Sequence, residues 1–175
     1  MSDYVWKSFY TDPDPAATPD EIATVEAELG VSLPQALRDG YLTDGDASIF
    51  KGGKRCSVAV TGPVREGGRE VGFFQNLEPL TGIVYQVRGL REYVEDAYEQ
   101  DLPDVIPFAG LGGGGWVCLN YRNDPTRANP EIWEFDQNGI SFEDGFRKVA
   151  DNFDHLIEML VNDDTLKEFG FEWRR

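Results

Sequence analysis

Apolar positions follow a helical period at first. Ile22, Val25 and Leu29 recur at spacings of three and four, which puts one stripe on a helix and leaves Glu21, Glu26 and Glu28 largely off it. Thr18-Pro19-Asp20-Glu21 supplies the start, with a hydroxyl cap, proline in the first turn and a glutamate three residues after the cap. Gly30 supplies the stop. A second helix is predicted over about residues 34–42, with Leu37, Tyr41 and Leu42 inward, and it ends at Thr43-Asp44-Gly45-Asp46. Between residues 49 and 87 the period shortens. β-branched and aromatic runs at 57–61, 71–74 and 83–87, broken by glycine, predict strands and hairpins. A helix returns over 90–100, with Leu90, Tyr93, Val94 and Ala97 on one side. Strands are predicted at 105–108, 116–121 and 132–135, joined by Gly-rich and Asn/Asp/Pro-rich loops suited to antiparallel connections. The last segment, 146–161, carries Phe146, Val149, Ala150, Phe153, Leu156, Ile157 and Leu160 in one stripe and predicts a closing amphipathic helix.

That order gives an α+β fold: a mainly antiparallel sheet packed with N-terminal helices, a middle helix and a C-terminal amphipathic helix. No internal repeat is visible. Residues 1–17 mix Tyr4, Trp6, Phe9 and Tyr10 with an Asp-Pro repeat and read as an arm pinned by its rings, ahead of a single domain over 18–175. The 175 residues suffice for one core that buries roughly 70% of the surface of the unfolded chain. No basic stretch leads into an apolar run at the start, and no membrane-length apolar run follows. Two cysteines, Cys56 and Cys118, are too few for a secreted disulfide framework, so the expected compartment is the cytosol.

Charge narrows the partner. Thirty-two acids stand against sixteen Lys and Arg, a formal charge of -16, which repels nucleic acid and anionic membrane surfaces and favours a basic protein. An acidic balance also simply keeps soluble proteins dispersed. The sign is patterned along the chain: residues 1–50 and 91–145 are strongly acidic, whereas 51–90 hold six bases against three acids.

Candidate chemistry is sparse. Gly110 to Gly115, with Leu111 the one other residue, formally satisfies a dinucleotide fingerprint, but a strand is predicted after it where a phosphate-binding helix is needed, so it reads as a hairpin turn. His155, the single histidine, falls opposite the apolar stripe of the last predicted helix, and neither cysteine is spaced to pair with it or to bind zinc. Glu134 and Asp136 alternate with Trp133 and Phe135, so both carboxylates are expected on one sheet face. That spacing is compatible with paired-carboxylate hydrolysis, with a wet strand face, or with an acidic surface that binds protein. Asp44-Gly45-Asp46 lacks the ligand series of a calcium loop and reads as a turn. The residues expected to form a partner-binding surface are Asp44, Asp46, Trp116, Glu134 and Asp136, with no catalytic residue, cofactor or metal.

Three stretches in order resemble the SUKH (Smi/Knr) superfamily. The first is Thr18-Pro19-Asp20-Glu21-Ile22 continuing to Leu29-Gly30-Val31-Ser32-Leu33-Pro34. The second is Ile106-Pro107-Phe108-Ala109, then glycines, then Trp116-Val117-Cys118-Leu119 and Ile132-Trp133-Glu134-Phe135-Asp136. The third is Val149-Ala150-Asp151-Asn152-Phe153-Asp154-His155-Leu156-Ile157. One departure is plain, because the family tends to carry an acid beside those glycines and this chain does not. The resemblance implies an antiparallel sheet with packed helices, no cofactor, and a face that grips a protein. For bacterial members it implies a toxin-neutralising immunity protein whose partner is a basic toxin domain such as a nuclease, or alternatively a cell-wall assembly or housekeeping scaffold.

Overall fold

The computed structural model describes residues 4–8, 11–12, 14–45, 47–56, 58–60, 71–111, 114–162 and 164–165, with side chains at 58–60 and 71–76 left aside. Asp46, Phe9, Tyr10 and the part of the basic stretch beyond Val60 lie outside them.

The first helix, α1 (Pro19–Leu29), begins as its sequence dictates. Thr18 Oγ1 accepts the amide of Glu21 at 3.3 Å, and the Glu21 carboxylate accepts the amide of Thr18 at 2.7 Å, which closes the capping box. The Thr18 amide and the Thr18 hydroxyl, which donates to the same carboxylate at 2.8 Å, hold the Glu21 carboxyl below its ordinary range. Helix α2 (Gln35–Thr43) buries Ala36, Leu37, Gly40 and Tyr41, but turns Leu42 outward at 41% exposure. Leu42 is therefore a correction, since it falls one step beyond the buried stripe.

The arm forms a strand. β1 (Tyr4–Lys7) pairs antiparallel with β2 (Ser48–Lys51), which pairs with β3 (Lys54–Cys56) to make a three-stranded sheet. Trp6 secures β1 by donating its indole N–H to the Ala36 carbonyl at 2.8 Å and stacking on Phe153. A second, seven-stranded sheet contains β4 (Val58–Val60), β5 (Val71–Leu77), β6 (Val105–Leu111), β7 (Gly115–Asn120), β8 (Glu131–Asp136), β9 (Phe146–Ala150) and β10 (Leu160–Val161). Its order is β10-β4-β5-β6-β7-β8-β9 and all its pairings are antiparallel.

Two expected elements change type. Residues 83–87 are the first turns of α3 (Ile83–Tyr98), entered through a 3-10 turn at Leu80–Gly82. The β-branched run Ile83-Val84 suggests a strand, yet Ile83, Val87, Leu90 and Val94 are all buried at helical spacing, and packing overrides local preference. Ala97, expected on that inward side, is exposed. The predicted helix at 146–161 divides into β9, helix α5 (Phe153–Met159) and β10. The Asn152 side chain accepts the amide of His155 at 2.9 Å and so starts α5 there, which frees Phe146–Ala150 to pair with β8. A four-residue helix, α4 (Phe142–Gly145), precedes β9.

Strand alternation splits the core. Val117, Leu119 and Ile132 join one cluster with Leu37, Tyr41, Phe153, Leu156 and Ile157, while Cys118 and Phe135 join a second with Leu90, Val94, Leu102 and Phe146. Helix α3 spans both, with Ile83 and Val87 in the first cluster and Leu90 and Val94 in the second. Part of the basic stretch is used internally: Lys51 donates to the carbonyls of Ile157 at 2.5 Å and Leu160 at 2.8 Å, capping α5, and Lys54 pairs with Asp164 at 2.5 Å.

Gly89 lies inside α3, and a methyl group there meets no atom within 4 Å. Gly89→Ala is expected to stabilise the fold by about 0.5–1 kcal/mol, by removing backbone freedom from the unfolded chain. Chemical denaturation reads the gain directly, and no gain would mean that the position is not ordinary helix.

Candidate functional site

The sheet register brings two of the five expected surface residues together. Trp116 lies opposite Phe135, and Gly115 lies opposite Asp136. Gly115 has φ +126°, and a Cβ there would stand 1.9 Å from the Phe135 carbonyl, so glycine alone lets the hairpin approach β8 this closely. β6 and β7, which flank the glycine run, are antiparallel, and strand β7 follows the run where a dinucleotide site needs a helix.

Asp44 and Glu134 are elsewhere. Asp44 is 5% exposed just past the end of α2, and Glu134 is 4% exposed, with Arg147 at 2.5 Å from its carboxylate. Glu134 shares a sheet face with Val117 and Ile132, which point into the larger core cluster, so it is a buried ion-pair partner and not part of a wet face. Asp136 is half-buried, and its Oδ1 accepts both the backbone amide and the side-chain amide of Asn138 at 2.9 Å, an Asx turn. The two carboxylates therefore do not share a solvent-open cleft of the kind paired-carboxylate hydrolysis needs.

Around Trp116 the chain gathers half-buried aromatic rings. Tyr93 stands edge-on to Trp116 at 6.4 Å and to Phe135 at 5.8 Å, and Tyr98 contacts Tyr93, Phe135 and Phe142 at 6.3, 6.2 and 5.9 Å. Phe135, fully buried, is the floor, and the Tyr93 hydroxyl donates to the Gln137 carbonyl at 3.4 Å. Burial raises the Tyr98 phenol above its ordinary pKa, with nearby Tyr93 and Asp136 adding to the shift. The turn after Asp136 carries Ile140, 96% exposed.

A polar chain leaves this cluster on the other side. Trp116 Nε1 donates to Gln86 Oε1 at 3.1 Å, and Gln86 Nε2 makes a long contact of 3.5 Å with Glu78 Oε2. Glu78 arrives through sheet pairing, since Leu77 lies opposite Ala109 and the Glu78 amide donates to the Phe108 carbonyl at 2.8 Å. Its other oxygen, Oε1, would lie 3.5 Å from a Cβ on Gly110. Burial alone holds this carboxyl above its ordinary value.

Sequence spacing did not single out Glu78, Gln86, Tyr98, Phe142 or Ile140 as surface residues. Their convergence on Trp116 depends on strand register and on the helical start of α3, which the β-branched run conceals. Cys56 and Cys118 are both buried free thiols, raised by desolvation, and His155 accepts the Asp151 amide on Nδ1 at 3.3 Å. Among the described residues no group of three or more His, Cys, Asp or Glu is placed to hold a metal ion, and no helix is long and apolar enough to cross a membrane.

The model of the SMI1 / KNR4 family (SUKH-1) matches residues 16–159, a span that contains the whole aromatic cluster and the Trp116–Gln86–Glu78 chain and leaves out β1. No curated protein matches the chain.

Proposed function

From the premise that this chain belongs to the SMI1 / KNR4 family (SUKH-1), we propose that it is a non-enzymatic protein-binding module, an immunity protein that neutralises a basic toxin domain by stoichiometric binding in the cytosol. The observation that carries this reading is a half-buried aromatic patch of Trp116, Tyr93 and Tyr98 bordered by Asp136, on a molecule of net charge -16. Tyrosine and tryptophan give an interface large rigid contact area at small entropic cost. The surrounding negative field steers a basic partner toward it. A nuclease must keep a positive surface to hold phosphates, and an acidic inhibitor engages that same surface. Two buried free thiols suit a reducing compartment. Within this reading Trp116 and Asp136 face the partner, whereas Asp44 and Glu134 act only by holding the fold.

The test is coexpression with toxic domains encoded by neighbouring genes. At least one basic domain should bind the purified chain with Kd below about 10 µM, and coexpression should restore growth. Tight binding without rescue would point to recruitment by a scaffold in place of neutralisation. No binding across all neighbours would overturn the proposal.

A further inference from the structure

Most buried and half-buried carboxylates among the described residues have their charge answered from within the chain. Glu26 holds Arg38 at 2.5 Å, Glu134 holds Arg147 at 2.5 Å, Glu131 holds Lys148 at 2.6 Å and Asp104 holds Arg127 at 2.8 Å. Asp124 is satisfied another way, accepting the amides of Thr126, Ala128 and Asn129 and the Thr126 hydroxyl at 2.6–2.9 Å, and Asp136 accepts both amides of Asn138. Glu78 is half-buried and has neither arrangement. Among the described residues its side chain makes one hydrogen bond, with Gln86 at 3.5 Å, and lies near enough to the buried Tyr41 phenol to raise it, while no Lys or Arg lies within ion-pair distance. Desolvation without compensation is costly for a carboxylate, and burial keeps this one above its ordinary pKa.

We propose that Glu78 is the docking point for an arginine side chain of the protein partner, whose guanidinium supplies the ion pair that no described Lys or Arg of the chain makes with it. This rests on the protein-binding reading above and adds where on the surface, and with what chemistry, the partner is gripped. Three features fit a guanidinium. Gly110 places no side chain beside Oε1, so a planar fork can approach the carboxylate from the hairpin side. Gln86, held by Trp116 Nε1, fixes one edge of the opening. Tyr85, 73% exposed, stands on the same helical turn as Gln86 and offers an aromatic face. Arginine exploits both a bidentate carboxylate and an aromatic neighbour, whereas lysine brings a strongly hydrated point charge.

The experiment titrates a nona-arginine peptide into the full chain by calorimetry and compares Glu78→Gln with Glu28→Gln. Both variants remove one negative charge, but Glu28 is exposed on α1, whereas Glu78 is half-buried beside Gln86. The anchor predicts that Glu78→Gln weakens binding about tenfold or more, while Glu28→Gln stays within about twofold, and that nona-lysine binds the wild type less tightly than nona-arginine. Equal losses in the two variants, or equal affinity for the two peptides, would overturn the anchor and leave the acidic-module reading standing. Failure of nona-arginine to bind the wild type would instead strike that reading itself, and the anchor with it. Should Glu78→Gln not fold, Gly110→Val, which covers the carboxylate from the hairpin side, is expected to give the same loss and decides the matter alone.

Discussion

Phe135→Ala is expected to cost about 3–5 kcal/mol of stability, the range for removing a fully buried aromatic side chain. The ring has no exposed surface and touches Tyr93, Tyr98, Trp116, Phe142 and Phe146 at centroid distances between 5.8 and 6.4 Å. Those neighbours come from α3, β7, α4 and β9, so the cavity cannot be closed by shifting one element. At this chain length each kcal/mol lowers the melting temperature by about 2–4 °C, so a fall of roughly 10 °C is expected. Phe135→Leu keeps most of the volume and should lose less than half as much. Urea denaturation of the three proteins checks both values, and a loss below about 1 kcal/mol for the alanine variant would show that the cluster does not pack as described. The consequence for binding is indirect. Because Trp116 and Tyr93 rest on this ring, Phe135→Ala should also weaken partner affinity, whereas Phe135→Leu should largely retain it.

That link between floor and surface explains what the sequence could and could not convey. The α+β plan, α1 with its capping box, and strands β6, β7 and β8 are legible because each is specified locally, by a cap, a turn or an alternating run. Trp116 is a candidate in the sequence because a glycine run precedes it, and the structure leaves its ring half-buried. Glu78 and Gln86 are not candidates there, since they stand 38 and 30 residues before Trp116 and meet it only through the Leu77–Ala109 register and the packing of α3. The segment 146–161 misled for a definite reason. Its apolar residues fit a helical stripe throughout, but pairing with β8 satisfies the backbone of residues 146–150, and the Asn152 cap places the helix start at Phe153. Burial of Asp44 and Glu134 was hidden for a related reason: the face on which a strand residue lies is legible from alternation, but which face the helices cover is not.

The acidic character of the molecule also divides into two physical roles. Carboxylates such as Glu26, Glu131 and Glu134 hold cations of the same chain and stabilise the fold. Glu92, Glu95 and Asp96 on the exposed side of α3, Glu99 just past its end, and Glu143 and Asp144 on α4, are solvated and contribute to the long-range field. Salt should therefore slow association with a basic partner far more than it destabilises the chain, because exposed charges are screened within about 10 Å at 0.1 M ionic strength while partly buried pairs are screened less.

The Glu134–Arg147 pair gives the clearest separation of these roles. Glu134 and Arg147 are directly opposite across β8 and β9, and the carboxylate side chain is 6% exposed while the guanidinium is 36% exposed. Arg147→Ala takes the guanidinium away from a carboxylate held in the interior, which is expected to cost about 2–3 kcal/mol, toward the lower side of values for buried pairs because water reaches the guanidinium. Arg147→Met retains the aliphatic stem and should lose less, and Glu134→Gln combined with Arg147→Met should recover a further part, since no uncompensated charge remains. If Arg147→Ala costs less than about 0.5 kcal/mol, water is already satisfying Glu134 and the pair is not structural. Glu134→Gln should lower stability while leaving partner affinity unchanged once the protein is folded, and Asp136→Asn should do the reverse. Measuring both quantities on both variants tests whether the surface that binds is the aromatic patch beside Asp136 or the strand face on which alternation alone would have placed the two acids together.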